Sequence, residues 1–166
     1  MRVMSIGSRP LVPSRVASGG VVHGSRESRS RVGAFVALTK PRIIELLLIT
    51  TVPTMVLAQN GWPSTTLVIF TLIGGALAAG GANTINMYVD RDIDALMERT
   101  RHRPLVTGVV KPKEALIFAF VLESAAVAVL WASANLLSAL LALSATVFYV
   151  GVYTLWLKRT SRQNIV

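Results

Sequence analysis

The sequence contains no cysteine and only two histidines, His23 and His102. That excludes a disulfide framework, a thiol nucleophile and any cysteine-based metal centre. Charge is scarce as well. Only 15% of the 166 residues are charged, against roughly 25% in soluble domains. No charged residue lies between Glu45 and Asp90, and from Ala115 to Leu157 there is only Glu123. About 20 apolar residues cross the ~30 Å of a bilayer's hydrocarbon, so each run has the length of two spans and a tight turn. The expected fold is all-α, a polytopic transmembrane helical bundle with spans at 43–59, 66–89, 115–132 and 136–157.

What charge there is has one dominant sign: 17 Lys and Arg against 8 Asp and Glu, a net charge of +9. The placement of the basic residues excludes a nucleic-acid surface. They cluster before Arg42, between Arg91 and Lys113, and at Lys158, Arg159 and Arg162, and they avoid the two expected turns near residues 59–64 and 132–135. Basic residues confined to one side of successive spans are the positive-inside signature. The N-terminus, the 90–113 loop and the C-terminal end are therefore expected on the cytoplasmic face of a bacterial inner membrane. Residues 1–34, rich in Ser, Gly and Arg, are expected to form a disordered basic tail, with residues 35–166 as the membrane domain. The tail's composition also suits an organellar transit peptide, which keeps a mitochondrial inner membrane as the alternative.

Span two carries Gly74, Gly75, Ala78, Ala79, Gly80, Gly81 and Ala82. Small residues at helical spacing allow close helix–helix approach. A phosphate loop would need a preceding strand, which is missing. The next residues hold three acids within five positions: Asn86-Met87-Tyr88-Val89-Asp90-Arg91-Asp92-Ile93-Asp94. On a continuing helix, Asn86, Asp90 and Asp94 share one face at spacings of four, whereas Asp92 lies about 200° from Asp90 and points elsewhere. Carboxylates and amides are the ligands hard cations prefer, and acids at a membrane edge are costly without a cation among them. The bland alternative is a solvated acidic–basic helix end at the headgroups. The arginines that follow, in Arg99-Thr100-Arg101-His102-Arg103-Pro104-Leu105, favour a metal and phosphate site.

The run from Asn86 to Gly108, with Arg103-Pro104-Leu105-Val106-Thr107-Gly108 at its end, resembles the first aspartate motif of the UbiA-type intramembrane prenyltransferases. Within them its wording is that of the bacterial branch that farnesylates haem. Leu38-Thr39-Lys40-Pro41-Arg42-Ile43-Ile44-Glu45 resembles that branch's segment entering span one, and the similarity covers residues 35–166. The resemblance implies farnesyl diphosphate and haem B as substrates and Mg²⁺ as cofactor. It makes Asp90 and Asp94 the catalytic metal ligands with Asn86 beside them, and Arg99 and Arg103 the diphosphate-binding residues. Partners expected with it are the lipid bilayer and either a further copy of the chain or terminal-oxidase assembly factors. Haem-contacting residues are not identified. Glu98 stands where the superfamily is often basic. The family also carries a second aspartate motif on further spans, so this chain is expected to be the N-terminal part of a site and inactive alone.

Two other readings remain beside this one. A sister prenyltransferase acting on a quinone precursor uses the same diphosphate chemistry. A non-enzymatic bundle or transporter predicts charged or polar residues spread through the spans near the midplane, whereas here the charges gather at one face, with Glu123 the exception. Glu45 and Glu123 are acids inside spans without assigned roles, and His102 reads as a solvated loop residue.

Overall fold

Proline begins two of the long helices, Pro41 and Pro112, where its missing N–H costs nothing. In the computed structural model, residues 30–160 are described; the expectations for residues 1–29 and 161–166 lie outside them. The chain forms a short helix α1 (Arg31–Thr39), then α2 (Pro41–Gln59), α3 (Thr65–Val89), a short α4 (Arg91–Leu96), α5 (Pro112–Ser133) and α6 (Leu136–Phe148). From α6 the chain continues as a π-helical segment, Tyr149–Leu157, and a last helical turn, Lys158–Thr160. No strand occurs among the described residues. Four helices are long and apolar enough to cross a membrane: Pro41–Gln59, Thr65–Val89, Pro112–Ser133 and Leu136–Thr160. The expected spans are thus present, each within a few residues of its expected limits.

The hairpin turns are capped by side chains. Leu67 N–H donates to Ser64 Oγ at 3.3 Å, and Ser138 N–H donates to Asn135 Oδ1 at 2.7 Å. Each satisfies a helix N-terminal amide that hydrocarbon would leave bare. Proline 53 lies inside α2, which stays helical through it.

The centre of the bundle is the contact of α3 with α5. On α5 the buried positions Ala115, Ala119, Glu123, Ala126 and Leu130 recur at steps of three or four. Facing them, Gly74 leaves the space that Leu130 fills: a Cβ there would come within 2.6 Å of Leu130 Cγ. Without a hydrophobic force between helices in lipid, this close fit supplies the packing energy. Helix α2 buries no residue and turns its apolar side chains outward.

A second core closes the charged end of the bundle. Ala34 and Leu38 of α1 pack with Met87, Leu105, Val110 and Ala115, flanked by Phe35, Tyr88 and Phe118. The rings of Phe35 and Phe118 meet edge to face at 5.0 Å. Helix α1 corrects the expected tail boundary, because residues 31–34 are helical rather than irregular. Alone, a nine-residue helix is marginal. Here Leu38 is fully buried, and Arg31 Nη2 donates to both Glu114 carboxylate oxygens at 2.9 Å.

Candidate functional site

The charged cluster sits where α3 gives way to α4. Asp90 N–H donates to Asn86 O at 2.9 Å and Asp94 N–H to Asp90 O at 2.8 Å, so the helical path runs on through Asp90. Asn86, Asp90 and Asp94 thereby occupy one face, as their spacing predicts, and all three are buried. Asp92 is exposed and turned aside. Its partner is Arg159, at 3.0 Å, rather than an arginine of the 91–113 loop. The Ile93 backbone N–H, and then Arg159, hold its carboxyl below the ordinary aspartate range.

Each buried aspartate holds its own cation. Lys158 Nζ donates to Asp90 Oδ2 at 2.5 Å, and Arg103 Nη1 to Asp94 Oδ2 at 2.5 Å. The remaining Asp90 oxygen, Oδ1, is buried without a hydrogen-bond partner. Thr154 Oγ1 lies 3.0 Å from Asn86 Oδ1. Arg159 also donates to Val89 O at 2.8 Å, and Arg91 lies 4.4 Å over the Tyr88 ring while donating to Tyr88 O. The last turn of the fourth span is thus fastened to the last turn of the second.

Arg103 is placed by a folded loop. Backbone bonds Arg101→Met97, Arg103→Thr100, Thr107→Arg103 and Val110→Pro104 wind residues 97–110 into consecutive turns. Leu105 and Val110 pin that loop into the core, and buried Thr100 donates to Asp94 O at 3.1 Å. Arg99 is exposed, and no hydrogen bond or ion pair joins it to Asp90 or Asp94 among the described residues. Arg101 pairs with Glu98. His102 and Glu45 are exposed.

Sequence reasoning missed two members of the cluster. Lys158 was visible only as a basic end of the fourth span; 68 residues separate it from Asp90, so no local spacing betrays the pairing. Lys40 occupies the corner between α1 and α2 in a left-handed conformation, φ 55°. Asn83 Nδ2 fixes that corner by donating to Thr39 O at 3.0 Å. Burial, and then the charges of Arg103 and Lys158, lower the Lys40 pKa from 10.5 to about 8, against the opposing pull of Asp90 and Asp94. The Lys40-Pro41 pair was the available signal.

Among the described residues no group of three or more acidic, histidine or cysteine side chains is arranged to hold a metal ion. Two carboxylates and an amide do fit one class of ion. Magnesium is characteristically bound through one or two carboxylates, with phosphate oxygens and water completing its shell. Asp90 Oδ1 is the carboxylate oxygen of this cluster that is buried without a hydrogen-bond partner. Glu123 lies elsewhere, on the α3–α5 contact. It too is buried, with the Thr146 hydroxyl and the Ala82 backbone as its polar neighbours.

Residues 47–166 match the UbiA prenyltransferase family. Over 133 residues the chain is 61% identical to a protoheme IX farnesyltransferase of Paenarthrobacter aurescens, covering 80% of this chain and 42% of that one. With its counterpart from Streptomyces avermitilis it shares 61% over 143 residues, 86% of this chain and 47% of the other. With that of Pseudarthrobacter chlorophenolicus the figures are 52% over 163 residues, 98% and 49%. The chain therefore spans just under half the length of these relatives. No solved structure matches it.

Proposed function

Because the chain belongs to the UbiA prenyltransferase family, we propose that it forms one wall of an intramembrane site that moves a farnesyl group from farnesyl diphosphate to the vinyl group of haem B, giving haem O. One observation carries the reading: two buried aspartates at the end of a membrane span each hold a cation that a diphosphate can take over. The acceptor is inferred from the activity for which the relatives are named.

The electrostatics set an order of events. Lys40, Arg103 and Lys158 face Asp90 and Asp94, so the pocket has more cations than carboxylates. A bare divalent ion meets that surplus unfavourably, whereas a diphosphate is drawn to it. The arriving diphosphate draws Lys158 and Arg103 onto its oxygens, bidentately in the arginine's case. Arg99, exposed on the same loop, adds a further charge. Asp90 and Asp94 are then released to act as ligands, with Asn86 beside them. Bound Mg²⁺ would neutralise the charge growing on the leaving diphosphate.

The C1–O bond of farnesyl diphosphate breaks, and its electron pair departs with the diphosphate held by Lys158 and Arg103. The haem vinyl group donates its π electrons to the allylic C1, forming the new C–C bond. A water molecule adds to the resulting cation and gives up a proton, leaving a hydroxyethylfarnesyl group. Apolar spans keep stray water from the first cation. Helix α1, the 97–110 loop and Lys158–Arg159 share one end of the bundle, and we assign that end to the cytoplasmic face of a bacterial membrane.

The test is conversion of haem B to haem O, read by mass spectrometry in membranes containing the protein as its gene encodes it, supplied with farnesyl diphosphate and Mg²⁺. Asp90→Asn and Asp94→Asn are expected to abolish the product. Prenylation of a hydroxybenzoate with haem B untouched would overturn the acceptor and keep the diphosphate chemistry.

A further inference from the structure

Thr154 is fully buried in the middle of the π-helical segment. Its Oγ1 lies 3.0 Å from Asn86 Oδ1 and also 3.0 Å from the backbone oxygen of Tyr149. A threonine hydroxyl has a single proton and cannot donate to both. The two ends of an asparagine amide have the same shape, and their partners decide which end is which. One arrangement uses the hydroxyl once as donor and once as acceptor: Thr154 donates to Tyr149 O, and Asn86 Nδ2 donates to Thr154 Oγ1. Asn86 Oδ1 is then free of the hydroxyl and available as an acceptor for a cation.

The surrounding geometry repeats the pattern. Asn86 and Asp90 are four residues apart, and so are their partners Thr154 and Lys158. The second and fourth spans run the same way here, joined by one neutral rung and one charged rung. The charged rung holds a carboxylate, whose two ends are alike. Only the neutral rung has a wrong way round.

We propose that Thr154 is a positioning residue, which selects the orientation of the Asn86 amide that offers oxygen rather than nitrogen to a bound cation. This rests on the reading of Asn86, Asp90 and Asp94 as a cation site. A partner outside the coordination shell typically changes metal affinity about 10–100-fold when removed.

The test uses the whole chain in lipid nanodiscs, with Mn²⁺ as the probe, read by electron paramagnetic resonance in the presence of inorganic diphosphate. Thr154→Val, which keeps the shape and loses the hydroxyl, is expected to weaken Mn²⁺ binding about ten-fold, and Thr154→Ser to restore it to within about two-fold. Diphosphate affinity without Mn²⁺ should not move. In an Asn86→Asp background, where both ends are oxygen, Thr154→Val should have no effect on Mn²⁺. Unchanged affinity in Thr154→Val would overturn the proposal, as would an equal loss in the Asn86→Asp background, which marks a merely structural role. Mn²⁺ binding that survives Asp90→Asn unchanged would remove the cation site itself and this inference with it.

Discussion

Asp90 and Glu123 are both buried acids on helices of the same bundle, and they are held in opposite ways. Asp90 stands at the charged end, with Lys158 on one oxygen. Glu123 lies halfway along α5 in the notch at Gly81, where a Cβ would come within 2.7 Å of Oε1, and its polar neighbours are neutral: the Thr146 hydroxyl and the Ala82 backbone. At the end of the bundle a carboxylate is balanced by charge, and under the proposed function a diphosphate exchanges with its partner. In the middle it is accommodated by shape and by neutral groups, with no ion pair to exchange among the described residues. An acid inside a span is by default a functional candidate. The contrast shows that the partner tells more about its role than the acid does.

The sharpest way to break this comparison is to unbalance the charged end. Asp90→Ala removes the buried carboxylate that Lys158 holds, and loss of one member of a buried pair costs about 3–5 kcal/mol. Since Lys158 keeps some exposure, the lower end of that range is expected in a detergent-unfolding titration, together with loss of Mn²⁺ binding. The mid-span site should respond to volume instead. Gly81→Ala is expected to destabilise by about 1–3 kcal/mol through overpacking. Glu123→Ala should recover most of that loss in the double variant, read as a coupling energy in a double-mutant cycle. Glu123→Gln, equal in shape, should be tolerated in both stability and haem O formation. If it instead matched Asp90→Asn in loss of activity, the two acids would not differ in kind.

A smaller effect tests the surplus of positive charge. The folded-state pKa of Lys40 lies near 8, below its ordinary 10.5, so between those values the unfolded chain binds more protons than the folded one. Stability contributed by this group therefore rises with pH across that window, as the cost of its buried charge is lifted. Diphosphate affinity should move the other way, falling above pH 8. The fall attributable to Lys40 should vanish in Lys40→Met, checked by titration with inorganic diphosphate. The smallest effect belongs to Arg31→Ala. Its bond to Glu114 is largely exposed, and such pairs contribute little, so a detergent-unfolding titration should barely move.

Much of this was legible in the sequence. The spans followed from charge-free runs, and the shared face of Asn86, Asp90 and Asp94 followed from helical period, as did the turning aside of Asp92. What stayed hidden depends on contacts distant in the chain. Helix α1 forms because Leu38 finds Met87, Leu105 and Val110, which no nine-residue window reveals. The π-helical segment has no signature in Tyr149–Leu157 that separates it from an ordinary helix, yet it carries Thr154 to Asn86. Arg99 and Arg103 had the same expected role in the sequence. Folding distinguishes them, bringing Arg103 to Asp94 and leaving Arg99 exposed, because only Arg103 adjoins the buried Pro104 and Leu105.

The Lys158–Asp90 pair has a consequence for how the protein is made. Lysines flanking a span help decide which way it is threaded during insertion, and Lys158 is one of these. Were the fourth span threaded backwards, Lys158 would emerge across about 30 Å of hydrocarbon from Asp90. The bond can close only when spans two and four have been delivered in the same sense. One ammonium group thus serves first as an address for the insertion machinery and then as a lock that engages only on a correctly threaded chain.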